Sequence, residues 1–464
     1  MNALLSAFER LLVGPDPDPA DELLLKFATG ETLSRRALTE SLLVMASVGK
    51  GKTTLLRTPL CAMLRDGFGG LVPVVKGSLV DDVTRFVRAE GRERDLIVLR
   101  PGGAHVFNPF ENESRPDEAA ALLAELSEVL AGRKRDGENE AFWREQLAII
   151  MRHLFTLCQV SCGRLDMVVA AELFDGRANS LAQVADPHWR EASPLARVLK
   201  TAVAQLVDAE TLDAVSYFER TYPSHGDRLQ GSLAATVSAV FDHLRRPPLR
   251  QLFTGRSSFT MDDLLDRGKI CVVALPVLDS TAGRVANALV QFCFCRAAVK
   301  RPRPHYSFLI LDECQELVSR ELMAKLAVLR EFRVASVLLT QNLAVLDERI
   351  GETAREGLCG LLGTKIFGAQ NHAATRQWAS DQIGKCKTRV QSRTTGHSSG
   401  RGGGGSSASL SEHEQWDYRV APLTFAQLAV GETVVLRDGR FWRARWHRDS
   451  PGKAGTARLS PQRS

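Results

Sequence analysis

The sequence predicts an α/β protein whose mainly parallel central sheet is interrupted by an inserted all-α domain. Three observations carry this reading. Short, continuously apolar runs recur along the chain, as strands buried on both faces of a parallel sheet require. A block from about Pro116 to Leu252 shows helical periodicity and almost no strand-like stretch. A glycine-rich turn joins the first buried run to a helix-like segment.

Residues 1–28 read as a short helix, with the apolar stretch Leu4 to Val13, followed by an Asp/Pro linker from Gly14 to Ala20 that must be extended or turning. The first part of the core spans 29–112 and contains the strands Ser41–Ala46, Leu71–Val75 and Leu96–Leu99. The helical domain spans 113–255. The second part of the core, 256–447, supplies Ile270–Leu275, Ser307–Leu311, Ala335–Leu339, Gly363–Phe367 and Thr433–Leu436. Within it, residues 391–413 are rich in Gly and Ser and are expected to form a flexible loop. Glu432–Arg437 and Arg440–Arg445 flank Asp438-Gly439, a hairpin signal. Alternation favours sheet packing for Phe441, Trp442 and Trp446 over stacking on nucleobases. Residues 448–464 are expected to be a basic disordered tail.

The chain has 464 residues, 44% hydrophobic and 25% charged, which is ordinary globular composition. No apolar run approaches the roughly 18 to 20 residues of a membrane helix, so a soluble, cytoplasmic protein is expected. The nine cysteines lack C-x-x-C spacing and read as small apolar residues. The net charge of +6 is located entirely in Arg437–Ser464, where eight Arg or Lys face two Asp. A globally basic surface is thereby excluded, and contact with DNA would need a local lining of Lys and Arg.

The chemistry begins at Ala46-Ser-Val-Gly49-Lys50-Gly51-Lys52-Thr53, between a buried strand and the helix-like Thr54–Leu64. This is a P-loop in its required context. Glycines let backbone N–H groups converge on phosphate oxygens, and the helix start adds a positive dipole end. Gly49, Lys50, Gly51, Lys52, Thr53 and Thr54 are the nucleotide-binding candidates. Lys52 is expected on the β- and γ-phosphates and Thr53 on Mg²⁺. Ala46 stands where the pattern has glycine. Phe308-Leu-Ile-Leu-Asp312-Glu313 delivers two carboxylates at a strand end: Asp312 to hold the magnesium through water, Glu313 to polarise the attacking water. A third strand ends in Thr340-Gln341, where Gln341 suits sensing of the γ-phosphate. Arg330 and Arg333, just before that strand, are both candidates for an arginine finger acting on a neighbouring subunit. The fold expected is therefore a RecA-like P-loop NTPase, with ATP and Mg²⁺ as cofactors. The acids with Gln341 suit water activation better than transfer to an acceptor, which disfavours a small kinase.

In order, these motifs resemble the FtsK/HerA branch of P-loop translocases, and within it the type IV secretion coupling ATPases of the TraG/TraD class. Leu71-Val-Pro-Val-Val-Lys76-Gly77-Ser78 is similar to the family's D-P-K-G-D segment, with Pro73 shifted and Ser78 replacing the acid. Asp95 to Gly103, followed by Phe107-Asn108-Pro109-Phe110, looks like the family's strand and F-N-P segment. The resemblance spans about Glu31 to Arg445. It implies a hexameric ring with DNA in its pore, ATP bound between subunits, and Arg330 as the trans finger. It also implies partners among relaxases and type IV secretion components. The usual N-terminal membrane helices are missing from the pattern, so a soluble form recruited to the inner membrane by an anchored partner is expected. Two readings follow: a DNA-stimulated translocase of conjugation or a related DNA process or defence, and a docking ATPase that recruits a relaxase or effector through its helical domain.

Overall fold

The computed structural model describes residues 21–27, 30–111, 115–131, 139–205, 208–278, 280–398 and 405–446. The expected N-terminal helix and most of its linker, and the basic tail, lie outside these residues.

The described residues form a nine-stranded sheet in the order β13-β12-β9-β3-β8-β7-β4-β6-β5. Its strands are β3 (Leu42–Met45), β4 (Gly69–Val74), β5 (Leu96–Leu99), β6 (Ile270–Ala274), β7 (Ser307–Leu311), β8 (Val334–Thr340), β9 (Thr364–Phe367), β12 (Glu432–Arg437) and β13 (Arg440–Arg445). Neighbours from β9 to β5 are parallel, and the β9–β12 and β12–β13 pairs are antiparallel. Every strand expected from an apolar run is present, within a residue or two of its expected ends.

The continuous apolar runs are explained by burial on both faces. In β7, Leu309 and Leu311 enter one core while Phe308 and Ile310 enter the other; β3 divides its residues the same way. One core is shared with the helical region and with helices Thr281–Val299, Arg320–Leu329 and Leu343–Ile350. The other is covered by helices Lys52–Arg65 and Gly77–Ala89 and by a small hairpin of β1 (Leu23–Lys26) and β2 (Thr32–Ser34). Phe27 beside that hairpin meets Trp442 and Trp446 edge-on at 5.5 and 5.4 Å, so these tryptophans pack the sheet edge.

Between β5 and β6 the described chain is helical from Pro116 to Phe253, apart from its turns. Its exit and return run side by side. The Phe107 N–H donates to the Leu252 carbonyl at 2.8 Å, Asn108 Nδ2 donates to the Gly255 carbonyl at 3.0 Å, and Phe107 stacks on Phe259. The helical block thus leaves and rejoins the sheet at one place, without interrupting strand order. Among the described residues no single helix is long and apolar enough to cross a membrane.

One expectation is overturned. Residues 391–398 and 405–412, read as part of a flexible loop, are paired in a long antiparallel ribbon of β10 (Lys385–Ser398) and β11 (Gly405–Tyr418). Composition misled because neither strand needs a core: the ends nearest the sheet are mostly exposed, and the ribbon is held by its continuous backbone ladder. The expected hairpin at Asp438-Gly439 is present. Both residues have positive φ, 49° and 70°, as a type I′ turn demands.

Candidate nucleotide-binding site

Buried Ala46 follows strand β3, and the chain turns through Ser47–Gly51 into helix Lys52–Arg65. Gly49 and Gly51 have φ of 73° and 86°, which side-chain-bearing residues rarely adopt. Lys50 donates its N–H to the Ser47 carbonyl at 3.1 Å, closing the turn. Gly51 caps the helix without a side chain, so no side-chain acceptor competes for the first-turn N–H groups around Lys52, Thr53 and Thr54. That is the arrangement by which a helix N-terminus binds phosphate.

The alanine at the head of the motif is accommodated by a glycine across from it. A Cβ built on Gly368, which follows β9, would stand 3.0 Å from Ala46 Cβ and 3.3 Å from Leu55 Cδ1. The methyl group fills space that Gly368 leaves.

Asp312 and Glu313 follow β7 directly. Glu313 is buried with 3% of its side chain exposed, and takes a left-handed backbone conformation, φ 49°. Four donors hold its carboxylate. Oε1 accepts from Lys52 Nζ at 2.8 Å and Lys76 Nζ at 2.7 Å. Oε2 accepts from Gln315 Nε2 at 2.8 Å and Gln341 Nε2 at 3.0 Å. Thr340 Oγ1 donates to Gln315 Oε1 at 3.0 Å and so fixes that amide. Burial pushes the Glu313 carboxyl up, but the bonds from Lys52, Lys76 and Gln315 outweigh it and hold the group at about 2. Asp312 is shifted the other way, raised first by burial and then by the charge of Glu313.

A second polar chain joins the loop to β8 and β9. Ser47 Oγ donates to Gln370 Oε1 at 2.8 Å, Gln370 Nε2 donates to the Gln341 carbonyl at 2.8 Å, and the Asn371 N–H donates to Ser47 Oγ at 2.9 Å. Gln370 thus bonds both the loop, at Ser47, and the backbone of Gln341. The loop, acids and Lys76 border one cavity of about 720 Å³, which also reaches Arg57 and Arg85.

The structure thus brings together Gly49, Gly51, Lys52, Thr53, Asp312 and Glu313 on this cavity, with Gln341 bonded to Glu313. It does not bring Arg330 there. Arg330 is exposed before the amino end of β8, whereas Gln341 follows the carboxyl end, and the seven residues of that strand alone span about 20 Å. Arg333 is committed locally: it donates to the Pro304 carbonyl at 2.8 Å and lies over the Tyr306 ring at 5.3 Å. Lys76, Gln315, Ser47 and Gln370 were not among the expected site residues. Gln315 was findable from its place two residues after Glu313, and Lys76 from its place after β4. Ser47 and Gln370 meet only through the order of the strands.

Residues 307–420 match the family described as the TraM recognition site of TraD and TraG. No curated protein matches the chain in sequence. Among solved structures, the plasmid coupling protein TrwB in complex with the non-hydrolysable ATP analogue ADPNP is similar, with a TM-score of 0.63 at 14% identity, covering 98% of this chain and 94% of that one. TrwB in complex with ADP and Mg²⁺ gives 0.62 at 13% identity, covering 96% and 93%. VirB4 of Thermoanaerobacter pseudethanolicus gives 0.52 at 11% identity, covering 94% and 98%. At these identities the likeness is one of fold.

Proposed function

We propose that this chain is a coupling ATPase of the TraG/TraD kind, in the FtsK/HerA branch of P-loop ATPases, that hydrolyses ATP to move or deliver DNA as a ring of subunits. The observation that carries the reading is the convergence beyond the carboxyl ends of β3, β7 and β8: Lys52 and Glu313 are bonded to each other on one cavity, and Gln341 is bonded to Glu313. TrwB, whose fold is similar, is known in complexes with ADPNP and with ADP and Mg²⁺, which supports nucleotide binding by this chain.

The residues present fit magnesium. Thr53 in the first helical turn and Asp312 face the same cavity, and the half-buried Asp312 carboxylate would be relieved by a cation. When bound, magnesium neutralises phosphate oxygens during transfer. Thr53 and Asp312 would hold it, and the loop N–H groups with Lys52 would hold the phosphates. Engagement of Lys52 by phosphate would take one of the two cations from Oε1 of Glu313, the carboxylate that would orient water. Gln341, bonded to Glu313 and to Gln370, would carry the change to β8 and β9.

Arg330 would act on the site of a neighbouring subunit, since it stands at the far end of β8 from its own. The match of residues 307–420 supports a protein partner on this half of the core, in keeping with a relaxase or secretion component, and such a partner would bring the chain to the inner membrane. The same match favours the second reading, a docking ATPase in which nucleotide drives assembly. Phosphate release measured with and without single- and double-stranded DNA separates the two. Stimulation by either DNA supports translocation; a ring indifferent to both supports docking.

A further inference from the structure

We infer that Lys76 is the residue by which the site distinguishes ATP from ADP, and that it withholds Glu313 until a third phosphate is present. The inference rests on the ATP reading above but concerns a residue outside the P-loop and the acidic pair.

Lys76 follows β4 and meets Glu313 across 237 residues because β4 lies beside β7 in the sheet. Its Nζ is 2.7 Å from Oε1, the same oxygen that Lys52 holds at 2.8 Å. One carboxylate oxygen is therefore shared by two ammonium groups. The two lysines are unequal: 12% of the Lys52 side chain is exposed, against 50% for Lys76, which stands in the cavity wall and is freer to turn. Strand order sets what each can reach. The P-loop is at the tip of β3, and moving away from it come β8, β7 and then β4. The phosphates nearest the nucleoside are held by the loop, so only the terminal phosphate extends towards β7, and an ammonium at the tip of β4 can meet a nucleotide only there. The other two cations on the cavity, Arg57 and Arg85, both lie over the Phe86 ring at 5.7 Å, and Arg85 also pairs with Asp82.

A diphosphate can draw Lys52 away from Glu313 and leave Lys76 in place. A triphosphate draws both. Glu313 is then released to work on water only when there is a γ-phosphate to attack, and Lys76 moves from the acid to that phosphate.

The test is a titration of wild type, Lys76→Met and Lys76→Arg with a fluorescent non-hydrolysable ATP analogue and with ADP, magnesium present throughout. Loss of a charge-assisted bond to the γ-phosphate should weaken the analogue by about tenfold or more in Lys76→Met. ADP affinity should change by less than about twofold, which also reports that the site is folded, and Lys76→Arg should keep most of the preference for the analogue. Equal weakening of both nucleotides, or no weakening of either, overturns the assignment. A wild type that binds neither nucleotide refutes the ATP reading itself, so the two failures are distinct.

Discussion

Lys52 Nζ lies 2.8 Å from Glu313 Oε1, although 261 residues separate the two in the chain. The lysine proposed to bind phosphate and the acid proposed to orient water therefore neutralise each other in this structure. Lys52→Ala should abolish detectable nucleotide binding while leaving the fold intact, because Lys76 still holds Glu313. Fluorescent-nucleotide titration with a thermal melt checks this; retained affinity would show that the loop is not the phosphate cradle.

The pH dependence has a definite sign. Glu313 is held at about 2, below its ordinary 4.5, so it stabilises the folded state above the ordinary range and that contribution is lost as pH falls from about 4.5 towards 2. Asp312 is raised, chiefly by burial, so its contribution runs the other way: present at low pH, lost as pH rises. Glu313→Gln should melt below wild type at pH 7, and the gap should narrow by pH 3. A gap independent of pH would contradict the arrangement.

Gly368→Ala should be costly, since the new methyl meets Ala46 Cβ at 3.0 Å and Leu55 Cδ1 at 3.3 Å. A destabilisation of about 1 to 3 kcal/mol is expected for overpacking of this kind. Ala46→Gly in the same chain should recover much of it, because it removes the first of those contacts. Denaturant melts of the two single variants and the double variant form the cycle that measures the coupling.

Arg330 and Arg333 should behave differently. Arg330→Ala is expected to bind nucleotide normally and hydrolyse poorly, and to regain hydrolysis when mixed with Glu313→Gln, because a mixed ring contains interfaces with both groups intact. Arg333→Ala should hydrolyse normally but lose about 1 kcal/mol of stability with its contact to Tyr306. Phosphate-release assays of single and mixed variants decide, and absence of complementation would place Arg330 outside the site.

Replacing residues 391–412 by Asn-Gly should leave nucleotide affinity unchanged and shift Tm by no more than about 2 °C. The described side chains at the ribbon's base are largely exposed, and exposed positions seldom affect stability. A large loss of Tm would show that the ribbon packs on the core.

The core was legible where physics leaves one option. Runs such as Ser307–Leu311 are buried on both faces, and Asp438-Gly439 needs positive φ at two residues. The β10–β11 ribbon was illegible because its backbone ladder, not its side chains, holds it, and a Gly/Ser composition reads as loop. β1 and β2 are too short, and too mixed in polarity, to show a period. Within the site, Lys52, Asp312 and Glu313 announced themselves by motif. Lys76 stood in a recognisable segment, but its contact with Glu313 and the Ser47–Gln370 pair were not legible, because contacts across 237 and 323 residues follow from strand order.

Lys52, Glu313 and Gln341 are proposed to make one ATP-hydrolysing centre. Its most direct test is magnesium-dependent phosphate release by wild type and Glu313→Gln, measured beside nucleotide affinity for both. The expected result is turnover by wild type, and in Glu313→Gln undiminished binding with turnover lowered by about a hundredfold or more. Equal turnover by the two proteins would contradict it.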